Sequence, residues 1–158
     1  GLPNRRSFFF VVNMTLKHLL CIIHTSSMKF THILLWVADN TLSEKFYKKV
    51  GFTVTHSDDE YSEVELGDFK LGLITMRDET EFAHDSIASP KGRGMYIYVA
   101  TNDVDEKCAA FKKSGITPYA QPRNWPWGNR DFIVKDPDGY KLCFWQKSKA
   151  NEASRACG

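Results

Sequence analysis

The stretch DPDGYKLCFW (residues 136–145) places a turn directly in front of a strand. Its Asp-Pro and Asp-Gly steps favour a turn, and the apolar residues Tyr140, Leu142 and Phe144 then recur at every second position, as they do along a strand. A similar stretch, ELGDFKLGLI (residues 65–74), stands earlier in the chain and carries the same aromatic-Lys-Leu order. The chain therefore contains an internal repeat, which is stronger evidence for a fold than local propensity.

The repeat extends over most of the chain. Strand patterns occupy residues 29–38, 52–57, 61–66 and 69–76 around a helix pattern at 40–51, and the same order recurs with strands at 95–101, 116–121, 130–135 and 140–146 around a helix at 103–115. The pattern predicts that Asn40 or Thr41 caps the first helix, that Asp103 caps the second, and that Gly51 and Gly115 end them. The sequence thus predicts an α+β fold of two βαβββ repeats, which form curved mixed sheets with the helices on the convex side.

Alternation within the strands separates two faces of the predicted sheets. One face is aliphatic in both halves and packs under the helices: Ile33, Leu35, Val37, Leu71 and Leu73, with Met95, Ile97, Val99, Leu142 and Phe144. The other face is rich in aromatic residues and includes Trp36, Tyr96, Tyr98 and Trp145. Since a large exposed aromatic patch usually marks a binding surface, we expect this concave face to form a cleft for a ligand or a partner.

Composition excludes several classes of protein. The formal net charge is +2, but residues 1–27 hold three basic residues and no acidic one, so the repeat region is mildly acidic and does not favour nucleic-acid binding. The four cysteines form no CxxC motif and no disulfide framework. A reducing compartment, the cytoplasm, is therefore expected.

The first 27 residues are interpreted separately. Basic residues precede an apolar run that Asn13, Lys17 and His18 interrupt, which is untypical of a signal peptide and too broken for a transmembrane helix. We interpret residues 1–27 as an N-terminal extension, such as one from an early start site; a loosely packed amphipathic helix is the alternative. The expected domain is 28–147, with halves at 28–76 and 94–147, followed by a polar tail at 148–158.

Three segments resemble the vicinal oxygen chelate superfamily, which includes glyoxalase I, bleomycin-resistance proteins, fosfomycin-resistance enzymes and extradiol dioxygenases. These are HILLWVADNTLSEKFYKKVGF (residues 32–52), NWPWGNRDF (124–132) and DPDGYKLCFW (136–145). The resemblance covers nearly all of residues 28–147 and implies the paired βαβββ fold. It is less specific for activity, because this scaffold carries both enzymes and non-enzymes.

Metal-dependent members of the superfamily hold one divalent ion with four residues, one on the first and one on the last strand of each half. By resemblance these positions are His32, Gly72, Gly94 and Cys143. Two glycines provide no side-chain ligand, whereas a catalytic metal needs about three protein ligands. We therefore expect no metal, no cofactor and no catalytic residue. The remaining resemblance is to the bleomycin-resistance branch, whose members sequester a drug, usually in grooves between two subunits.

The resulting hypothesis is a homodimer that binds a small aromatic or cationic, drug-like molecule without a metal, as antibiotic-resistance proteins do. Trp125 and Trp127 lie in a loop made rigid by Pro122 and Pro126, and they are suited to stacking on a planar ligand. The acidic stretch at 57–65 favours a cationic ligand, or else forms a solvated outer face. The candidate ligand-binding residues are His32, Trp36, Tyr96, Tyr98, Arg123, Trp125, Trp127, Cys143 and Trp145.

Other interpretations stay open. His32 is equally consistent with a strand histidine that bonds a neighbour, and Cys143 with a small apolar core residue. A metal-dependent lyase or isomerase is one alternative function, with His32 and Cys143 joined by Glu63 or Glu65 as ligands. A sensor or accessory module, whose aromatic face meets a protein partner, is another. Binding to nucleic acid or to a membrane is not expected.

Overall fold

The computed structural model describes residues 29–75 and 91–148. The chain divides into a first compact unit, Gly1–Thr31, and a second, His32–Gly158. The extension at 1–27, the predicted strand end at Met76 and most of the tail lie outside the described residues. The second unit contains β1 (Ile33–Trp36), α1 (Asn40–Lys49), β2 (Thr53–Ser57), β3 (Tyr61–Leu66), β4 (Phe69–Ile74), β5 (Tyr96–Ala100), α2 (Val104–Lys113), β6 (Ala120–Asn124), β7 (Asn129–Lys135) and β8 (Lys141–Lys147).

Each half forms a four-stranded sheet with the same strand order. The first sheet has the order β1-β4-β3-β2 and the second has the order β5-β8-β7-β6. In each sheet the first strand of the half runs parallel to the last strand, and the other neighbours are antiparallel. The prediction of an α+β fold made from two βαβββ repeats is confirmed.

The core lies between the helices and one face of each sheet. Helix α1 contacts β2, β3 and β4, and α2 contacts β6, β7 and β8. Leu35, Leu71 and Leu73 of the first half are buried, as are Ile97, Leu142 and Phe144 of the second half. The aliphatic face predicted from alternation is therefore the helix face. Neither helix of the described residues combines the length and apolar composition that a membrane span requires.

The two helices begin and end in equivalent ways. The Asp39 carboxylate accepts a hydrogen bond from the Leu42 N–H at 3.0 Å, and Asp103 accepts one from the Glu106 N–H at 2.9 Å. Asp103 is thus the cap that was predicted, whereas the first cap is Asp39 rather than Asn40 or Thr41. A short acid one position earlier satisfies the free N–H groups, and Asn40 is instead buried. Gly51 follows α1 at a φ of 107°, a conformation that side chains disfavour.

Strand β6 begins later than the sequence predicts. The predicted strand covers residues 116–121, but the observed strand is Ala120–Asn124. Ile116 and Pro118 are buried, so their alternation reflects packing rather than strand pairing. β6 contains Pro122 and has a register irregularity between Ala120 and Arg123. It lies at the edge of its sheet, where a proline without an N–H group is tolerated.

The DPDGY turn (residues 136–140) joins the second half to the first. The Asp136 carboxylate accepts bonds from the backbone N–H groups of residues 138, 139 and 140 through Oδ1 and from the Tyr47 hydroxyl, at 3.2 Å, through Oδ2. Asp138 accepts the Ala38 N–H at 2.9 Å, and the Tyr140 hydroxyl donates to the Trp36 carbonyl at 3.1 Å. Three side chains of one turn therefore contact α1 and the end of β1.

The earlier copy of this turn does not join the two halves through hydrogen bonds of this kind in the described residues. Gly67 and Asp68 form the tight connection between β3 and β4, and both are exposed. The second copy is also supported by Lys91, whose Nζ lies 3.2 Å from Asp138 and donates to the Trp36 carbonyl at 3.0 Å. The two copies share a strand pattern, but among the described residues only the second has acidic side chains that form hydrogen bonds to the other half.

Candidate functional site

The face of the second sheet that lies away from α2, which we call the open face, collects most of the predicted aromatic residues. Strand register places Tyr96 beside Lys141 and Tyr98 beside Cys143. Tyr96 is 45% exposed and Tyr98 is 60% exposed, whereas Trp145 is half-buried. These side chains share one face because residues two apart on a strand point the same way. The predicted grouping of Tyr96, Tyr98, Cys143 and Trp145 is therefore present.

Asp131 is the residue of this face that the sequence interpretation missed. It pairs with Trp145 on one side and with Arg123 on the other, so the three form a row across β8, β7 and β6. Only 5% of Asp131 is exposed. In the described residues no lysine, arginine or histidine forms an ion pair with its carboxylate. The available signal was alternation in RDFIVK (130–135), which puts an acid on the aromatic face.

Cys143 lies between this acid and a tyrosine. Burial, together with the neighbouring Asp131 carboxylate that the thiol contacts, raises the pKa of the Cys143 thiol to about 12, while a hydrogen bond with Tyr98 acts in the opposite direction. At neutral pH the group is a protonated thiol that donates to a carboxylate. It is therefore neither a nucleophile nor a thiolate ligand in this state.

The tryptophan loop, residues 125–128, connects β6 to β7 beside this row. The rings of Trp125 and Trp127 stack on each other with centroids 4.4 Å apart and planes 17° apart. The Arg123 guanidinium carbon lies 3.6 Å from the centre of the Trp125 ring. Trp127 remains 62% exposed, and the buried Trp125 indole N–H has no hydrogen-bond partner among residues 29–75 and 91–148. Because the two rings already contact each other, a planar ligand can stack on Trp127 but cannot enter between the rings.

The Arg130 guanidinium is bound to other residues and does not contribute to the open face. Its guanidinium forms two hydrogen bonds to the Asp105 carboxylate, at 2.8 and 2.6 Å, and one to the Asn124 side chain. Asp105 is within reach because α2 begins beside β7. Arg123 stacks on an indole rather than binding a carboxylate.

Of the remaining candidates, Trp36 is the last residue of β1 in the first sheet, and His32 directly precedes that strand. On the face of the first sheet that lies away from α1, Gly72 of β4 has Leu34 of β1 as its neighbour on one strand and Glu63 of β3 as its neighbour on the other. The Lys70 ammonium contacts Glu63 at 2.7 Å and Glu65 at 2.9 Å. The hydrogen bond from Lys70 lowers the pKa of Glu63. Both acids of this face therefore share one lysine as their ion-pair partner.

The four positions that the resemblance assigns to a metal do not suit one. A Cβ atom added at Gly72 would lie 2.9 Å from both Leu34 Cδ1 and Tyr61 Cε2, so these side chains cover the position that a ligand would need. Gly94 offers no donor, and the Cys143 thiol is protonated. His32 precedes β1, which is shorter than the predicted strand at 29–38, and Gly94 precedes β5. Among residues 29–75 and 91–148, no three His, Cys, Asp or Glu side chains are arranged to hold a metal.

Comparisons with known proteins agree with this architecture. A bleomycin resistance protein of Geobacillus stearothermophilus is 29% identical over 124 residues, which are 72% of this chain and 93% of that protein. The crystal structure of a glyoxalase/bleomycin resistance protein/dioxygenase from Nocardioides superposes with a TM-score of 0.67 at 22% identity, covering 85% of this chain and 94% of that one.

An antibiotic-binding protein from Streptomyces sp. CB03234 superposes with a TM-score of 0.60 at 25% identity, covering 79% of this chain and all of that one. Residues 29–144 match the family described as the glyoxalase/bleomycin resistance protein/dioxygenase superfamily. The repeated βαβββ topology, the DPDG turn and this match over most of the chain establish that the protein belongs to that superfamily.

Proposed function

We propose that this protein binds a small aromatic or cationic, drug-like molecule on the open face of the second sheet and sequesters it without a metal. The observation that carries the proposal is the row of Arg123, Asp131 and Trp145, flanked by exposed Tyr98. A bleomycin resistance protein among the relatives and an antibiotic-binding protein among the structural neighbours support a binding role.

The aromatic part of a ligand would stack on Tyr98, Trp145 and the outer face of Trp127. Aromatic rings in contact add roughly 0.5–1.5 kcal/mol to the burial of their area. Lys141 lies 4.9 Å from the Tyr96 ring centre and Lys147 lies 5.7 Å from the Trp145 ring centre, so these cations stand toward the two ends of the face. The middle of the face is left to the ligand.

The cationic part of a ligand would meet Asp131. A buried carboxylate is costly unless it is paired, and the contact identified for this one is the neutral Cys143 thiol. A ligand ammonium or guanidinium group would supply the missing positive charge. This assigns selectivity for cations to Asp131, which is buried, rather than to Glu63 and Glu65, which both already pair with Lys70.

A second copy of the chain would complete the cleft. Two exposed tyrosines on β5 and a stacked tryptophan pair after β6 add apolar surface to this sheet, of a kind that a soluble protein rarely leaves open. In the proposed homodimer the partner covers this surface and the ligand lies between the two subunits. A protein partner would cover the same surface, and the ligand titration distinguishes these cases.

Quenching of tryptophan fluorescence tests the proposal. Bleomycin, proflavine (a cationic acridine) and acridine (its neutral relative) are titrated into the purified protein, and subunit stoichiometry is followed by sedimentation. We expect saturable binding of bleomycin or proflavine at one site per subunit, with acridine bound more weakly. Tyr98→Ala should weaken binding about tenfold, as truncation of a central aromatic residue commonly does.

Two variants make the test specific. Asp131→Asn should weaken proflavine about tenfold while leaving acridine unchanged, since only the cation loses its counter-ion. Tyr119→Ala, which removes an exposed tyrosine stacked under Lys135 elsewhere, is the matched control and should have no effect. Absence of saturable quenching by all three compounds would refute the proposal. Stoichiometric nickel, zinc or manganese binding that His32→Ala abolishes, measured by calorimetry on chelator-stripped protein, would instead favour the lyase or isomerase.

A further inference from the structure

A cleft of about 490 Å³ lies between α1 and two segments of the second half, Gly115–Thr117 and Lys135–Pro137. It is bordered by a helix, whereas the open face is the side of the second sheet that lies away from its helix. We call it the junction cleft, because it borders the Tyr47–Asp136 hydrogen bond that joins the two halves. Its volume falls within the range of small-molecule sites.

The floor of the junction cleft is apolar. Leu42 and Phe46 are one helical turn apart on α1 and face Ile116 and Pro137 of the second half. Leu42 is 52% exposed although it is a large aliphatic residue. An exposed leucine that lines a concave site is a favourable contact for the apolar part of a ligand.

The rim of the junction cleft is basic. Lys45 and Lys49 lie one turn apart on α1, and Lys135 faces them from β7. All three are exposed, and in the described part of the chain none of them forms an ion pair with a carboxylate. Lys135 instead lies 3.7 Å from the centre of the Tyr119 ring.

Asp136 is the one acid among the described residues that line the junction cleft, and its single charge does not balance the three lysines of the rim. Both carboxylate oxygens of Asp136 are occupied, Oδ1 by the backbone N–H groups of its own turn and Oδ2 by the Tyr47 hydroxyl. The side chain is also buried, so it points into the junction rather than toward the lysine ammonium groups. The rim therefore retains a net positive charge above an apolar floor.

We propose that the junction cleft is a second binding site, for a small amphipathic carboxylate whose alkyl chain lies on Leu42 and Phe46 and whose charge meets Lys45 and Lys49. The site takes an anion, whereas the open face is proposed to take an aromatic cation. Its occupant does not depend on what binds the open face, so either proposal can fail without the other.

Calorimetric titration of the full chain with decanoate tests this site, with decylamine and decanol as matched probes of opposite and zero charge. We expect one decanoate per subunit, weaker decanol binding and no decylamine binding. Lys45→Gln and Lys49→Gln should each weaken decanoate binding about twofold to fivefold, the range of an exposed ion pair. Raising the salt concentration should weaken it further, because exposed charges are screened.

Control variants distinguish the junction cleft from general surface charge. Lys113→Gln changes the lysine of α2 that is equivalent to Lys49 in the repeat, is not part of the cleft, and should leave decanoate binding unchanged. Leu42→Gln should weaken decanoate and decanol alike. The proposal is overturned if decanoate does not bind saturably, if decylamine binds equally well, or if Lys49→Gln and Lys113→Gln have the same effect. Proflavine affinity, measured in the same variants, should not change.

Discussion

At the scale of single residues, neighbours decide the chemistry of the open face. Cys143 occupies a position at which metal-dependent relatives are expected to carry a ligand, yet its thiol is held protonated by burial and by Asp131. Gly72 occupies the equivalent position in the first half, and Leu34 and Tyr61 cover it. For a cationic ligand, the open face therefore offers the Asp131 carboxylate rather than a set of metal-ligand side chains.

The first prediction concerns thiol reactivity. In a Cys21→Ser, Cys157→Ser background, the native protein should react very slowly with Ellman's reagent at mildly alkaline pH, because burial also raises the pKa of Cys108. Both remaining thiols should react at once in guanidinium. Asp131→Asn should lower the pKa of Cys143 and so shift its labelling rate toward lower pH, while Cys108 labelling stays unchanged. Rapid labelling of native Cys143 would contradict the assignment of a protonated, buried thiol.

At the scale of elements, the two halves are built alike and used differently. Each helix has an aspartate cap and a glycine after its last turn, and each sheet has the same order. The turns before β4 and β8 differ, because only residues 136–140 carry a buried acid that organises its own backbone. The pKa of Asp136 is raised to about 6, chiefly by burial and to a smaller extent by the Asp138 charge. Hydrogen bonds from the Tyr140 N–H and the Tyr47 hydroxyl act in the opposite direction.

The second prediction concerns the pH dependence of stability through this turn. The folded protein holds the Asp136 proton up to a pH of about 6, whereas a carboxyl of ordinary pKa, 3.8, releases it earlier. Between these values the folded state binds more protons than the unfolded chain, so the contribution of Asp136 to the free energy of unfolding falls as pH rises and is constant above about 6. The full difference amounts to roughly 3 kcal/mol.

Asp136→Asn isolates this effect, since the amide oxygen can still accept the backbone N–H groups and the amide nitrogen can donate to Tyr47. Urea unfolding of both proteins is compared across the acid range. The variant should gain stability relative to the wild type as pH rises from 4 toward 6, because only the wild type must ionise a buried carboxyl. The lowered pKa values of Asp58 and Glu63 act in the opposite direction in both proteins and cancel in the comparison. A stability difference that does not change with pH would rule out the raised pKa.

At the scale of the whole molecule, a few polar contacts join the two halves beside the core. Asp138 receives the Ala38 N–H and pairs with Lys91, and the side chains of this ion pair are 6% and 7% exposed. Lys91 and Tyr140 both donate to the Trp36 carbonyl. The connection between the halves is therefore a buried hydrogen-bond network centred on the end of β1.

The third prediction concerns this network. Asp138→Ala should lower the free energy of unfolding by about 3 kcal/mol, because it leaves the buried Lys91 ammonium without its carboxylate. Asp68→Ala, which removes the exposed acid of the equivalent turn in the first half, is the control and should change stability by less than about 0.5 kcal/mol. Chemical denaturation of the two variants at neutral pH provides the measurement. Equal effects at both positions would show that the network contributes little.

The sequence by itself determined the repeat, the order of the elements, the helix face of each sheet and the grouping of Tyr96, Tyr98, Cys143 and Trp145. These follow from periodicity, and periodicity depends on residues close together along the chain. The shift of β6 and the first helix cap were not predicted correctly, because Pro118 and Asp39 act through neighbours that alternation does not report.

Only the tertiary structure decided which charges meet. It paired Arg130 with Asp105 and stacked Trp125 against Trp127. It also left Asp131 buried on the aromatic face and placed Lys135 of β7 opposite α1 in the junction cleft. Each of these contacts depends on how the chain packs in three dimensions. Their energies depend on burial and on distances between side chains, which no pattern along a single strand or helix contains.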